Sequence, residues 1–373
     1  MLPLFVKNGK MTQTQERIEY LDALRGFTML LVVINHIHSY TLGYSTGELA
    51  GSVNYYFSLF RMPLFFFVSG FVLYKRNVVW NRCSAVAFLK KKFPVQIVLP
   101  AIFYFIYMAV YDVDIVESLL SVNKSGYWFT FTLFEYFVLY IAIQWLTKKL
   151  NIKEKRHDVF LLLCAAVTVA FPYTEHLIAL LDDGSGFSIG AFSSDLFAAT
   201  GIDHMKHFLF FALGVITRKH FGEFERLLDK GWPVIATALF FAAANIAVPD
   251  IYAQGKMVQL LLKLPLGVCG IVIVFATFRK CGKLFGKEKR AGRVMQFVGK
   301  RTLEIYLLHY FFMPTGVESC MDAICNTEIP FWDFGIALLL AVAVVALCLA
   351  TGTILRLNPW VAQLLSGAKK DKN

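Results

Sequence analysis

The chain has 373 residues, of which 57% are hydrophobic and only 17% charged, and it carries 36 phenylalanines and a net charge of +11. Soluble domains carry about 25% charged residues, so this composition excludes a water-soluble enzyme and a disordered chain alike. An excess of 37 Lys and Arg over 26 Asp and Glu points to nucleic acid or to a membrane surface, and the placement of those charges decides between them.

A helix needs roughly 20 mostly apolar residues to cross ~30 Å of hydrocarbon. In chain order, ten stretches qualify: 24–44, 54–74, 93–111, 127–147, 158–177, 201–217, 232–249, 257–278, 298–314 and 331–355. The odd-numbered loops between them hold only Lys124 and Lys256, whereas the termini and even-numbered loops hold 32 basic residues. Arg61, Lys206 and Lys263 fall inside stretches. By the positive-inside rule the sequence predicts an all-α bundle of about ten transmembrane helices with both termini cytoplasmic. The charge is thereby absorbed as a topology signal, and no nucleic-acid partner is expected. The domain plan is a cytoplasmic tail over 1–20, a transmembrane domain over 21–357 and a second tail over 358–373.

No cleavable signal peptide is expected, because the first apolar segment is too long and lacks a small-residue cleavage site. Met11 is an alternative start. The outer segment 172–203, with Glu175, Asp182 and Asp183, reads as a lid or re-entrant stretch. Of the seven cysteines, Cys164, Cys269 and Cys348 lie in apolar spans as small hydrophobes. Cys320 and Cys325 share an outer loop and can pair in an oxidising compartment. No Cys or His spacing resembles a structural zinc site, and no metal is expected.

Ionisable groups inside spans are expensive and mark cavities or functional sites. Here they are His36, His38, Arg61, Glu135, Lys263, Glu304 and His309. At ~1.5 Å per residue, His36, Arg61 and Glu135 all come out roughly 18–20 Å from the inner face, with His309 somewhat closer. Two bland readings compete with a catalytic one: a structural Arg61–Glu135 ion pair with two satisfied histidines, and a proton or ion pathway through the same groups.

The first span is more informative. Arg25 and His36 are eleven residues apart, close to three turns, so they share a face with about 16 Å between them. Asp22, one turn before Arg25, can hold its guanidinium through an i,i+3 pair. His38 points to the opposite side.

The run LDALRGFTMLLVVINH, with Arg25, ten residues, then His36, resembles the opening of the acyltransferase-3 family of membrane O-acyltransferases. Further segments agree in order: Arg61-Met-Pro63 through Ser69-Gly70-Phe71, Tyr127-Trp128-Phe129, Phe210-Phe211-Ala-Leu-Gly214, and Thr302-Leu-Glu-Ile-Tyr306-Leu-Leu-His309. The resemblance covers essentially the whole chain. It departs before the third span, where Lys90, Lys91 and Lys92 stand in place of the family's arginines and can bind phosphate only as point charges.

The resemblance implies an O-acyltransferase, most simply an O-acetyltransferase, of a bacterial cytoplasmic membrane. It implies acetyl-CoA or another acyl-CoA as donor, and a hydroxyl of a cell-surface carbohydrate or related molecule as acceptor. On that reading His36 is the general base, Arg61 binds the oxyanion, and Glu135 either neutralises Arg61 or orients His36. Arg25 with Asp22, Lys91 and Lys92 receives the anionic donor. His309, Trp128 and Ser69 are the substrate-side candidates, each with a structural alternative: a hydrogen bond, an interfacial aromatic and close helix packing. A proton-coupled transporter using the same midplane charges is the rival class. The acceptor's identity and the oligomeric state are not legible in the chain.

Overall fold

The computed structural model describes residue 18 and residues 20–44, 52–76, 78–170, 201–315 and 332–366. The Cys320–Cys325 pair, Met11 and most of the outer segment 172–203 lie outside the described residues. Within them there are helices and turns and no strand. The first half runs α1 Tyr20–His36, α2 Val53–Ser58, α3 Arg61–Leu73, α4 Arg82–Phe93, α5 Leu99–Val110, α6 Ile115–Leu120, α7 Trp128–Lys149 and α8 His157–Ala170. The second half runs α9 Phe208–Lys219, α10 Phe221–Asp229, α11 Trp232–Ala247, α12 Lys256–Lys280, α13 Gly282–Phe285, α14 Arg290–Lys300, α15 Thr302–Leu308, α16 Trp332–Leu355 and α17 Pro359–Ser366.

Six of these units are long and apolar enough to span a bilayer: Tyr20–Thr41, Val53–Leu73, Arg82–Val110, Trp128–Lys149, Lys256–Lys280 and Trp332–Leu355. They match six of the ten stretches read from sequence. The other four are helical where described but shorter or broken. α8 has 14 described residues, α9 has 12 and α11 has 16, the last bent by 77° from α10. The ninth stretch divides at Arg301 into α14, the 7-residue α15 and a 3-10 turn over His309–Phe312. Arg301 leaves the helical region at φ −116°, ψ 21°. Leu239, Ile246, Leu261 and Leu339 stand more than half exposed on α11, α12 and α16. Such faces are unstable against water and natural against lipid tails. The chain is a multi-pass membrane protein.

Inside a bilayer, helices associate through close packing rather than hydrophobic expulsion, and small residues let backbones approach. Two crossings use this. A β-carbon at Gly70 of α3 would overlap the Phe211 carbonyl of α9, and one at Gly214 of α9 would overlap the Phe67 carbonyl of α3. The same reciprocity joins α1 to α14, Gly26 meeting Met295 while Gly299 meets Asp22. Phe66, Phe71, Phe208, Phe210, Phe211 and Phe275 fill the space around the first crossing, which accounts for part of the phenylalanine excess.

Prolines shape two irregularities. Pro63 cannot donate to the carbonyl of Leu59, and the helix breaks at Phe60 (φ −129°), so that Arg61 opens α3. Pro94 and Pro100 flank a π-helical turn over Pro94–Val98 between α4 and α5. One expected intramembrane charge is satisfied structurally: Glu304 is 1% exposed and paired with Arg356 just past α16. At the surface, Arg279 chelates Asp229 with 2.8 and 2.9 Å contacts and holds that carboxyl below its ordinary pKa by hydrogen bonding.

Candidate active site

The continuous apolar periodicity of α1 turns one face inward and carries Arg25, Met29, Val32 and His36 up it. After His36 the helix widens into a π-helical turn over Ile37–Thr41, closed by Leu42 N–H donating to Ile37 at 3.0 Å. Such single-turn expansions recur at functional sites because they re-aim the next side chains. Here Ser39 and Tyr40 join His36 on the wall of a cavity of about 330 Å³. Arg61 and Phe65 of α3 form a second wall, and Asn123, Gly126 and Trp128 at the entrance of α7 form a third. His36, Arg61 and Trp128, distant in sequence, thus meet in one chamber.

His36 Nε2 lies 3.1 Å from the Tyr310 hydroxyl, while its Nδ1 is buried without a partner. The ring centroids of His309 and Tyr310 lie 5.2 and 5.0 Å from that of His36. The charged neighbour of His36 is Arg61, and no carboxylate contacts the imidazole among the described residues. Arg61 is 9% exposed, and its Nη1 is buried with no hydrogen-bond partner. A buried guanidinium with open donors is costly unless something anionic visits it.

The remaining sequence candidates are distributed around this chamber. Glu135 is not paired with Arg61 and does not reach His36: its carboxylate faces the Gly201 turn beside Thr132, and its nearest charge is Lys124. Glu135 faces the α9 side of α7. Ser69 donates to the Phe65 carbonyl at 2.9 Å, one turn back, and does not line the cavity. Trp128 stacks on His204 at 3.7 Å, and His204 is itself anchored to the Val122 carbonyl at 3.1 Å. His309 Nδ1 donates to the carbonyls of Ile305 (3.0 Å) and Tyr306 (2.8 Å), leaving a buried Nε2 without a partner. His38, off the cavity wall as its rotation predicts, is wholly buried with both nitrogens unpaired.

One face lower, Arg25 Nη1 lies 3.9 Å from Asp22 and Nη2 3.3 Å from the Thr302 hydroxyl. Lys92 lies over the rings of Phe137 (5.7 Å) and Phe88 (5.9 Å), and feels the charges of Arg25, Lys91 and Lys75. Arg25, Lys75, Lys91 and Lys92 therefore form one basic cluster below the cavity. Lys91 itself is exposed.

Sequence reasoning missed Tyr310, Tyr40, Asn35 and Asn123. The first had a signal, since Tyr306 and Tyr310 are one turn apart and flank His309. Tyr306 donates to the Gly126 carbonyl at 3.1 Å, and Tyr127 donates to the Leu307 carbonyl at 3.0 Å, so these tyrosines clamp the α7 entrance to α15. Among the described residues, no three His, Cys, Asp or Glu side chains converge as metal ligands. Compared with known families, residues 18–352 match the model described as an acyltransferase domain, that of the acyltransferase-3 family. No curated protein and no solved structure matches the chain.

Proposed function

The chain belongs to the acyltransferase-3 family, and from that premise we propose that it is a membrane O-acyltransferase taking its acyl group, acetyl in the simplest case, from cytoplasmic acyl-CoA. The acceptor is a hydroxyl of a carbohydrate or related molecule presented from the outer face. On this reading the shorter helices α8, α9, α11 and α15 complete ten crossings, and both termini are cytoplasmic. The observation that carries the proposal is the convergence of His36 and Arg61 on one cavity, with Arg25 on the same face of α1 below them.

The chemistry follows from the donors and acceptors on the walls. The basic cluster of Arg25, Lys75, Lys91 and Lys92 attracts the donor's phosphates, Arg25 being oriented by Asp22 and Thr302. About 16 Å separates Arg25 from His36 along the helix, enough for an extended pantetheine arm to reach the cavity. Neutral His36 with one ring nitrogen bonded to Tyr310 offers its other nitrogen as a base. The acceptor oxygen bonds to the thioester carbonyl carbon as its proton passes to His36. The carbonyl oxygen becomes an oxyanion, for which the open Nη1 of Arg61 is a donor. The carbon–sulfur bond then breaks, and the leaving thiolate takes the proton from His36. Esterified acceptor and free thiol result, and the enzyme is restored.

The test is His36→Ala in purified, folded protein. Acyl transfer is expected to be lost while acyl-CoA still stabilises the protein in a thermal-shift titration. Full transfer by the variant would remove His36 from the mechanism. A folded wild type with no shift at saturating CoA and acyl-CoA would remove the donor, and with it the enzyme reading, in favour of transport.

A further inference from the structure

A second cavity, of about 170 Å³, opens where α3 ends, between the starts of α4 and α8 and the end of α9. Its walls have a mixed character unlike the apolar interior. Trp80, Tyr74 and Tyr140 supply aromatic surface, Gln144 and Glu154 supply acceptors, and Lys75 and Arg76 stand at the rim. Trp80 is held in place by its own backbone, whose carbonyl accepts from Trp145 Nε1 at 3.0 Å, and by Phe88 at 5.2 Å edge-on. The third cation, Lys219, is neutralised by Asp158 at 2.8 Å. Lys75 and Arg76 have no side-chain partner among the described residues, and both are exposed.

Aromatic faces, amide and carboxylate acceptors, and uncommitted cations together suit a phosphorylated planar base. The exocyclic amine of adenine is a donor that Gln144 or Glu154 can receive. The cavity also adjoins the donor route. Trp80 touches Phe88, Phe88 lies under the ammonium of Lys92, and Lys92 is within reach of the charge of Arg25.

We propose that this cavity, lined by Trp80, Tyr140 and Gln144 and rimmed by Lys75 and Arg76, holds the adenine and 3′-phosphate of the CoA donor. The inference rests on the acyl-CoA reading above and adds where the nucleotide end is recognised. It divides the donor among three stations: the nucleotide in this cavity, the pyrophosphate at Lys92 and Arg25, and the thioester at His36. It also compensates for the lysines at 90–92, because recognition of the base and of the 3′-phosphate falls on Trp80 and Arg76 instead.

The experiment is calorimetric titration of the full chain in lipid nanodiscs with CoA, dephospho-CoA (which lacks the 3′-phosphate), adenosine 3′,5′-bisphosphate and pantetheine. Wild type is expected to bind CoA roughly tenfold more tightly than dephospho-CoA, and adenosine 3′,5′-bisphosphate is expected to compete with CoA. In the Arg76→Ala variant, whose change is on an exposed side chain outside the basic cluster, CoA is expected to weaken to the affinity of dephospho-CoA. Trp80→Leu is expected to weaken both nucleotides and leave pantetheine unchanged. Equal binding of CoA and dephospho-CoA by wild type would overturn the proposal. So would an Arg76→Ala variant that loses both ligands in the same proportion, since that is general charge attraction rather than a phosphate site. Failure of folded wild type to bind CoA at all would overturn the donor reading itself, a different result from binding without discrimination.

Discussion

His36 Nε2 and the Tyr310 hydroxyl lie 3.1 Å apart, joining the top of α1 to the 3-10 turn that follows α15. Catalytic histidines are usually oriented by a carboxylate, which fixes the tautomer and stabilises the imidazolium. Here a neutral phenol occupies that position. It can fix the ring and tautomer, but it offers no full charge to the protonated state. On the proposed mechanism, the burden of charge balance then falls on the substrate's own oxyanion and thiolate.

Tyr310→Phe removes this hydrogen bond while keeping the ring that packs on His36 and His309. A lost buried hydrogen bond is worth about 1–3 kcal/mol, so kcat is expected to fall roughly 10- to 100-fold. The donor's Kd should stay unchanged, because Tyr310 is far from the basic cluster. Steady-state kinetics with calorimetric donor binding measures the split, and a matching loss of donor affinity would contradict a positioning role.

Arg61 combines burial with an open Nη1, so stability and activity should move apart on its removal. Arg61→Met fills similar volume without a charge. Unfolding temperature is expected to hold or rise, since a buried unpartnered cation is a liability. Acyl transfer is expected to drop about 10²–10³-fold if Arg61 receives the oxyanion. A variant that unfolds readily and retains its kcat would make Arg61 a structural cation.

Much of this site was legible in the sequence, for reasons that also mark the boundary. Arg25 and His36 share a helix whose period is fixed, so their common face follows from arithmetic alone. Arg61 and His36 were linked only by equal depth, and the structure joins them because Phe60 breaks the helix ahead of Arg61 and turns it toward the chamber. Glu135 came out at a similar depth by residue count, but its carboxylate faces the Gly201 turn and Lys124. Rotation of one helix about its axis relative to another is set by crossings such as Gly70 on Phe211, which no single-helix period contains. The same gap hid Tyr310, whose orientation depends on a 3-10 turn after α15 rather than on the helix itself.

Glu135 supplies a test of that correction. Its carboxylate lies by the Gly201 turn and Lys124, away from His36 and Arg61. Glu135→Gln is expected to leave kcat within about threefold of wild type, a barrier change under ~1 kcal/mol. A loss comparable to that of His36→Ala would return Glu135 to the catalytic group.

Glu304 and Arg356 form a pair with unequal exposure, 1% against 29% of the side chain. Removing Arg356 leaves a carboxylate buried against Gly352 with no other ion-pair partner among the described residues. Removing the charge of Glu304 leaves a guanidinium that water already reaches. Arg356→Ala is therefore expected to destabilise by about 3–5 kcal/mol, and Glu304→Gln by clearly less. The double variant should recover part of the Arg356→Ala loss, which thermal unfolding in one detergent measures as a cycle.

The α3–α9 crossing yields the sharpest steric expectation. At Gly70 an added β-carbon meets the backbone carbonyl of Phe211, and at Gly214 it meets that of Phe67, so no side chain can rotate away to relieve either. The helices must separate instead, and rigid overpacking of this kind costs about 1–3 kcal/mol or more. Gly70→Ala and Gly214→Ala are each expected to lower the unfolding temperature by several degrees. Activity should fall as well, because α3 carries Arg61 at its other end. The two changes press on one interface, so the double variant should lose less than the sum of the singles: once the helices have parted for the first methyl, the second fits. Strict additivity in thermal unfolding would mean that the two glycines are not opposed across one contact.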